Sequence, residues 1–165
     1  MRYALRQHLL ALGDDFTITD DAGRPRYTVD GHVFTIRNAT TIRDAEGREV
    51  ARLHRCLLSL GETFEIERDG KTTVVHKHLF TPFRCRFSVD VPGPDDLEAT
   101  GDLLDHEYTF RDAAGHTVAA VSKRWFRLAD TYGVEIADGP DAPDHVLILA
   151  AAVVIDLCCH PDKKR

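Results

Sequence analysis

Between Val146 and Ile155 the chain reads VLILAAAVVI, ten apolar residues in succession. Leu157, Cys158 and Cys159 extend the run past a lone acid, Asp156. A membrane-spanning helix needs about 20 such residues, so this one is too short to cross a bilayer. A segment apolar on every side must instead be surrounded by protein. Ala150-Ala151-Ala152 favours a helix over the alternative, a strand in a two-sheet core. Pro143 and Asp144 suit a helix start and His160-Pro161 a stop, which predicts a helix over about 144–159. At 1.5 Å per residue it is about 20 Å long, the height of a small barrel. The expectation is a helix threaded through the interior of a sheet.

The rest of the chain is written to build that sheet. The segment LRQHLLALGDDFTI (Leu5–Ile18) recurs as LHRCLLSLGETFEI (Leu53–Ile66) and as VSKRWFRLADTYGV (Val121–Val134). A looser copy, VHKHLFTPFRCRFSV, runs from Val75 to Val89. Each unit is two apolar runs around a polar break. The break carries Asp14, Glu62 or Asp130 in three units, and the second run opens with Phe16, Phe64, Phe87 or Tyr132. The copies are unevenly spaced, whereas a solenoid keeps a fixed period. They read as recurring hairpins in one closed body. Turn signals alternate with them: DDAGR (Asp20–Arg24), DAEGR (Asp44–Arg48), RDGK (Arg68–Lys71) and DAAGH (Asp112–His116). In each, Gly serves a left-handed turn position and Asp bonds back to its own backbone. Short strands at this density predict a meandering antiparallel sheet rolled into a barrel. The loops VPGPDD (Val91–Asp96) and DGPDAPD (Asp138–Asp144) are too short to separate domains. One domain over 1–160, with a short polar tail at 161–165, is expected.

The stretches RQHLLALGDDFTITDDAG, VDGHVFTI, IRDAEGREVA, KHLFTPFRCRFSV, VSKRWFRLADTYGVEI and LILAAAVVID follow one another in an order that resembles the LURP-one-related proteins. That family shares the tubby-like C-terminal fold with the tubby proteins and the phospholipid scramblases. The resemblance implies a mainly β fold, a closed antiparallel barrel of about twelve strands around a buried hydrophobic C-terminal helix. On function the resemblance implies little: tubby relatives bind phosphoinositides, scramblases act at membranes, and plant members are linked to defence. It carries no catalytic residues over, and the tubby phosphoinositide residues have no one-to-one positions here.

Charge and cysteine content narrow the function classes. A net charge of −6 argues against a broad nucleic-acid surface, which needs a basic face, but not against a local basic patch. The start, MRYALRQHLLALGDD, lacks the apolar core of about 7 or more residues that marks a secretory signal. The cysteines Cys56, Cys85, Cys158 and Cys159 are therefore expected as reduced thiols in a cytoplasmic protein, peripheral at a membrane if lipid is its partner. The vicinal pair at 158–159 reads as packing near a helix end.

Alignment of the repeat puts Gln7, Arg55, Lys77 and Lys123 in one register, each two residues from apolar neighbours on its strand face. Such residues are expected to lay their stems on the barrel rim with wet heads. Asp156, on an enclosed apolar helix, must be paired or protonated, and Lys77, Lys123 or Arg55 is its expected partner. The acid-free stretches Lys71–Val89 and His116–Ala129 concentrate cations. Lys71, Lys77, Arg84, Arg86, Lys123 and Arg124 are the candidates for an anion or lipid head-group site; the alternative is a solvated face balanced by acids on adjacent strands.

His76 and His78 alternate on one strand face and would need His54 or Cys56 to complete a zinc site, which no spacing demands. The Asp-rich turns lack the oxygen ligands of a calcium loop, and no Gly-rich phosphate loop or nucleophile elbow occurs. No metal, cofactor or nucleic-acid partner is expected. The leading expectation is a non-enzymatic binding or scaffolding module for an anionic lipid head group or a protein. The competing readings are a small enzyme using His76, His78 and an acid such as Glu107, and a purely structural, stress-related interaction protein.

Overall fold

A computed structural model of the chain describes residues 1–8, 14–30, 39–56, 62–81, 84–93, 96–126 and 131–159. Side chains are not described for 14–15, 79–81 and 84–85. Strands β1 (Arg2–Gln7), β2 (Asp14–Asp20), β3 (Pro25–Asp30), β4 (Ala39–Asp44), β5 (Glu49–Cys56) and β6 (Thr63–Arg68) form the first half of the wall. Strands β7 (Lys71–Thr81), β8 (Arg84–Asp90), β9 (Leu97–Asp102), β10 (Glu107–Asp112), β11 (Thr117–Ser122) and β12 (Thr131–Ile136) form the second. Each strand pairs antiparallel with its neighbours in sequence, and β1 pairs with β12, so the meander closes into a twelve-stranded barrel. The single helix described, α1 (His145–Cys159), follows the last strand.

The wall follows the period-2 pattern of its sequence. Tyr3 and Leu5 on β1, Phe16 and Ile18 on β2, Leu53 on β5, Phe87 and Val89 on β8, and Val134 on β12 all point inward and are buried. Their alternate neighbours, such as Arg2 and Arg6, are exposed. This polarity, apolar inside and polar outside, is the reverse of a barrel that faces lipid.

One rim is closed by tight turns. In Asp20–Arg24, Asp44–Arg48 and Asp112–His116 the same pair of backbone bonds recurs, Gly N to Asp O and Asp N to the fifth residue's carbonyl. The Gly takes a left-handed φ each time (75°, 80° and 87°). The ladder slips by one residue beside each turn, between Ile18 and Thr19, Ile42 and Arg43, and Phe110 and Arg111. A type I turn followed by a glycine bulge produces this slip. At the opposite rim, β1–β2, β5–β6, β7–β8 and β11–β12 pair as the four hairpins that the repeat predicts. The repeat corners at 9–13, 57–61, 82–83 and 127–130, Asp130 among them, lie outside the described residues, as does the tail at 161–165.

Helix α1 fills the interior. Ile148 to Val154 are 0–1% exposed, and the helix packs against β5, β6 and β12. Each large apolar side chain so enclosed contributes about 1.5–3 kcal/mol. The small volumes of Ala150, Ala151 and Ala152 are complemented by wall side chains as large as Phe16, Phe87 and Phe110, all fully buried. Asp144 caps the start: its Oδ1 accepts from Val146 N (2.9 Å) and Leu147 N (3.3 Å), and its Oδ2 accepts from Arg68 Nε at 2.6 Å.

Candidate functional site

With the helix in place, ligand contact falls to the rims and the outer wall. The rim around the C-terminal end of α1 gathers the register residues Gln7, Arg55, Lys77 and Lys123. They stand one step beyond the buried pairs Tyr3/Leu5, Ala51/Leu53, Thr73/Val75 and Ala119/Val121 of their strands. Gln7 is buried, Lys77 and Lys123 are half-buried and Arg55 is exposed. Lys77 Nζ donates to Glu62 Oε2 at 2.6 Å and to the Cys158 carbonyl at 3.3 Å. An ammonium there meets the negative end of the helix dipole. Burial works against the charge on Lys77, but the hydrogen bond and charge of Glu62 outweigh it and raise the pKa. Glu62 also faces Arg55 at 3.5 Å. Thus the acid of the second repeat unit neutralises the cations beside it.

Asp156 is 3% exposed, and its partner corrects the sequence expectation. Its Oδ1 meets His106 Nε2 at 2.5 Å rather than Lys77, Lys123 or Arg55. His106 adopts a left-handed conformation (φ 53°) that turns its ring into the barrel just ahead of β10. The helical phase carries Asp156 to that side, while Lys77 is held by Glu62 and the helix end. Nothing in LLDHEY (Leu103–Tyr108), a polar connection in sequence, marks His106 as an inward residue. The His106 ring stacks on Tyr132 (centroids 4.5 Å apart, 28° between planes). Tyr108 is enclosed nearby, and burial, reinforced by the Asp156 charge, pushes both phenols well above their ordinary pKa. Cys158 is also buried, which raises its thiol far out of the reactive range.

The other predicted cations are spread. Lys71 opens β7 directly after the β6–β7 turn, at the rim opposite Lys77 and Lys123. Arg86 faces Glu98 at 3.4 Å. The Arg84 side chain lies outside those described. Lys123 and Arg124 follow β11, with Arg124 84% exposed and 3.7 Å from Glu107. The six candidates therefore do not form one cluster. Nor do the residues of the enzyme reading converge. Glu107, three strands from β7, accepts from Ser122 Oγ, Lys123 N and Arg124 N and so fixes the turn after β11. His76 bonds Thr63 Oγ1 (3.0 Å) and His78 bonds Ser88 Oγ (3.0 Å), with their rings 6.4 Å apart. Among the described residues, no three His, Cys, Asp or Glu side chains come together as a metal site.

A groove of about 640 Å³ on the outer wall of β9, β10 and β11 brings other residues together. Arg111 and Arg124, the Glu107 carboxylate, the hydroxyls of Thr100 and Thr109, and the Trp125 ring line it. At its floor Gly101 (φ 139°) is the residue that allows β9 to lie against β10, since a Cβ there would sit 2.6 Å from the Glu107 carbonyl. Trp125 folds back over the outside of β12, where a Cβ on Gly133 would overlap its ring; it packs outside the barrel and not in the core. The Arg2 guanidinium lies 4.5 Å from the centre of the same ring. Arg111 has no carboxylate within ion-pairing distance among the described residues; Glu98, its cross-strand neighbour, is drawn to Arg86 instead. Sequence reading missed Arg111 because it stands alone before a turn motif and not in a basic run.

The sequence profile of the LURP-one-related family matches residues 1–156. The chain belongs to the LURP-one-related family. A LURP-one-related chain of this length is similar to YxjI of Bacillus subtilis (strain 168), at 25% identity over 96% of this chain and 94% of that protein. Its barrel is similar to the X-ray structure of an Arabidopsis thaliana protein, with a TM-score of 0.57 over 94% of this chain and 90% of the other. At 15% identity that likeness concerns the fold alone. No helix among the described residues is long and apolar enough to cross a membrane.

Proposed function

We propose that this LURP-one-related protein is a non-catalytic binding module that takes the phosphate of an anionic lipid head group on the outer wall of β9–β11. The observation that carries the reading is the groove itself, with a carboxylate-free Arg111 on one side, the exposed Arg124 on the other and Thr100 and Thr109 hydroxyls between them. Guanidinium groups bind phosphate through paired, directed N–H donors, and neighbouring hydroxyls complete such a site. The Trp125 ring at its edge suits the interface between water and acyl chains. Of the cations singled out by sequence, Arg124 lines this groove and Arg86 is one strand away across Glu98; Lys71, Lys77 and Lys123 belong to the rims.

Co-sedimentation with phosphatidylcholine vesicles, with and without a few per cent of a phosphoinositide, tests the reading. Binding is expected only to the anionic vesicles, to weaken with added salt, and to be lost in Arg111→Glu/Arg124→Glu but not in Lys71→Glu, at the far rim. A wild-type protein that stays in the supernatant at low salt, or a double variant that binds as well as wild type, overturns it.

A further inference from the structure

The cluster at the C-terminal end of α1 holds two hydroxyl groups that the protein itself does not satisfy. Tyr108 and Tyr132 are 3% and 4% exposed, and neither phenolic oxygen has a hydrogen-bond partner among the described residues. They come from β10 and β12, on either side of β11. The Tyr132 ring stacks on His106, whose Nε2 meets Asp156, and after burial it is the Asp156 charge that most raises the pKa of both phenols. The repeat supplies the comparison. Where the second run of the other three units opens, the residue is Phe16, Phe64 or Phe87, each buried in apolar surroundings. Only the unit beside Asp156 carries a hydroxyl at that position. A phenylalanine would fill the same space without the cost of an unmet hydroxyl. The hydroxyl at 132, like that at 108, therefore has work to do next to the carboxylate.

We propose that the space between Asp156, Tyr108 and Tyr132 is a water-binding site, in which an internal water accepts from one phenol, bonds the other and donates to the Asp156 carboxylate. Buried polar groups are satisfied almost without exception, by protein or by ordered water. Internal waters typically make about three such bonds, and the three groups are carried on two strands and the helix. His106 adjoins the site, with Nε2 on Asp156 and its ring against Tyr132. The water thus joins the helix to both strands, while Lys77 is engaged by Glu62.

Tyr108→Phe and Tyr132→Phe test the site because each removes one oxygen and leaves the ring. The thermal midpoint of each is expected to fall by about 2–4 °C, and the double variant by less than the sum, because the second change finds the water already weakened. Oxygen-17 magnetic relaxation dispersion is expected to count one long-lived water fewer in the double variant than in wild type. Midpoints that stay level or rise, or an unchanged count of long-lived waters, overturn the proposal. So does a crystal structure in which either hydroxyl bonds Asp156 directly.

Discussion

The residues that decide this fold's response to pH are those whose ionisation differs between folded and unfolded chain. Burial holds Tyr108 and Tyr132 neutral well above their ordinary value of 10.0, and burial with the charge of nearby groups pushes Tyr3 up to about 12. The unfolded chain loses these protons near pH 10 and the folded one does not. The stability they contribute is therefore complete below pH 10 and falls as pH climbs beyond it. Urea midpoints measured between pH 8 and 11 should be level at first and then decline. The turn acids act in the opposite direction. Burial disfavours the charge on Asp20 and Asp44, but hydrogen bonds from the following turn and its arginine lower their pKa; for Asp112 the bond from His116 N leads. Their contribution is present above about pH 4 and lost as pH falls below it. Asp156→Ala strips His106 of its buried acid and should cost about 3–5 kcal/mol, read from the shift in urea midpoint. The need for a partner to Asp156 was legible, because a lone acid in an apolar run has to be met. The partner was not, since only the left-handed backbone at His106, invisible in LLDHEY, brings that ring inside.

At the level of elements, the turns and the helix were the most readable parts. The spacing of Asp and Gly in DDAGR, DAEGR and DAAGH specifies one turn chemistry, and all three adopt it with the same two backbone bonds. The helix was announced by ten apolar residues with three alanines among them. Its cap can be tested directly: Asp144→Ala removes the acceptor of two helix amides and the partner of Arg68, for an expected loss of about 0.5–2 kcal/mol in chemical denaturation. The groove was not legible, because its members come from β9, β10, β11 and the turn after β11 and are adjacent only once the wall is built. Trp125 shows why. Its place depends on Gly133, a residue with no motif around it, which leaves the surface of β12 bare for the ring. Gly133→Val should dislodge Trp125, the one tryptophan in the chain, and shift its fluorescence to the red. The same change should cost stability of about 1–3 kcal/mol.

The molecule as a whole is a wall that needs its contents. Val146 to Ile155 are nearly all out of contact with water, and the inward faces of the strands are apolar to match. A chain ended after Asp144 should therefore show no cooperative unfolding transition and should bind hydrophobic dyes such as ANS. Closure of the sheet leaves no free strand edge among the described residues for another chain to extend, so the proposed recognition would rest on side chains at the rims and on the outer wall. The order of parts along the chain has a consequence in time. β1, made first, finds its second neighbour only when β12 exists, and the segment around which both must close is synthesised after every strand. Local hairpins can form as the polypeptide emerges, but the barrel cannot be sealed on the ribosome until the helix has left the exit tunnel. Until then its apolar inner surface is open to other molecules.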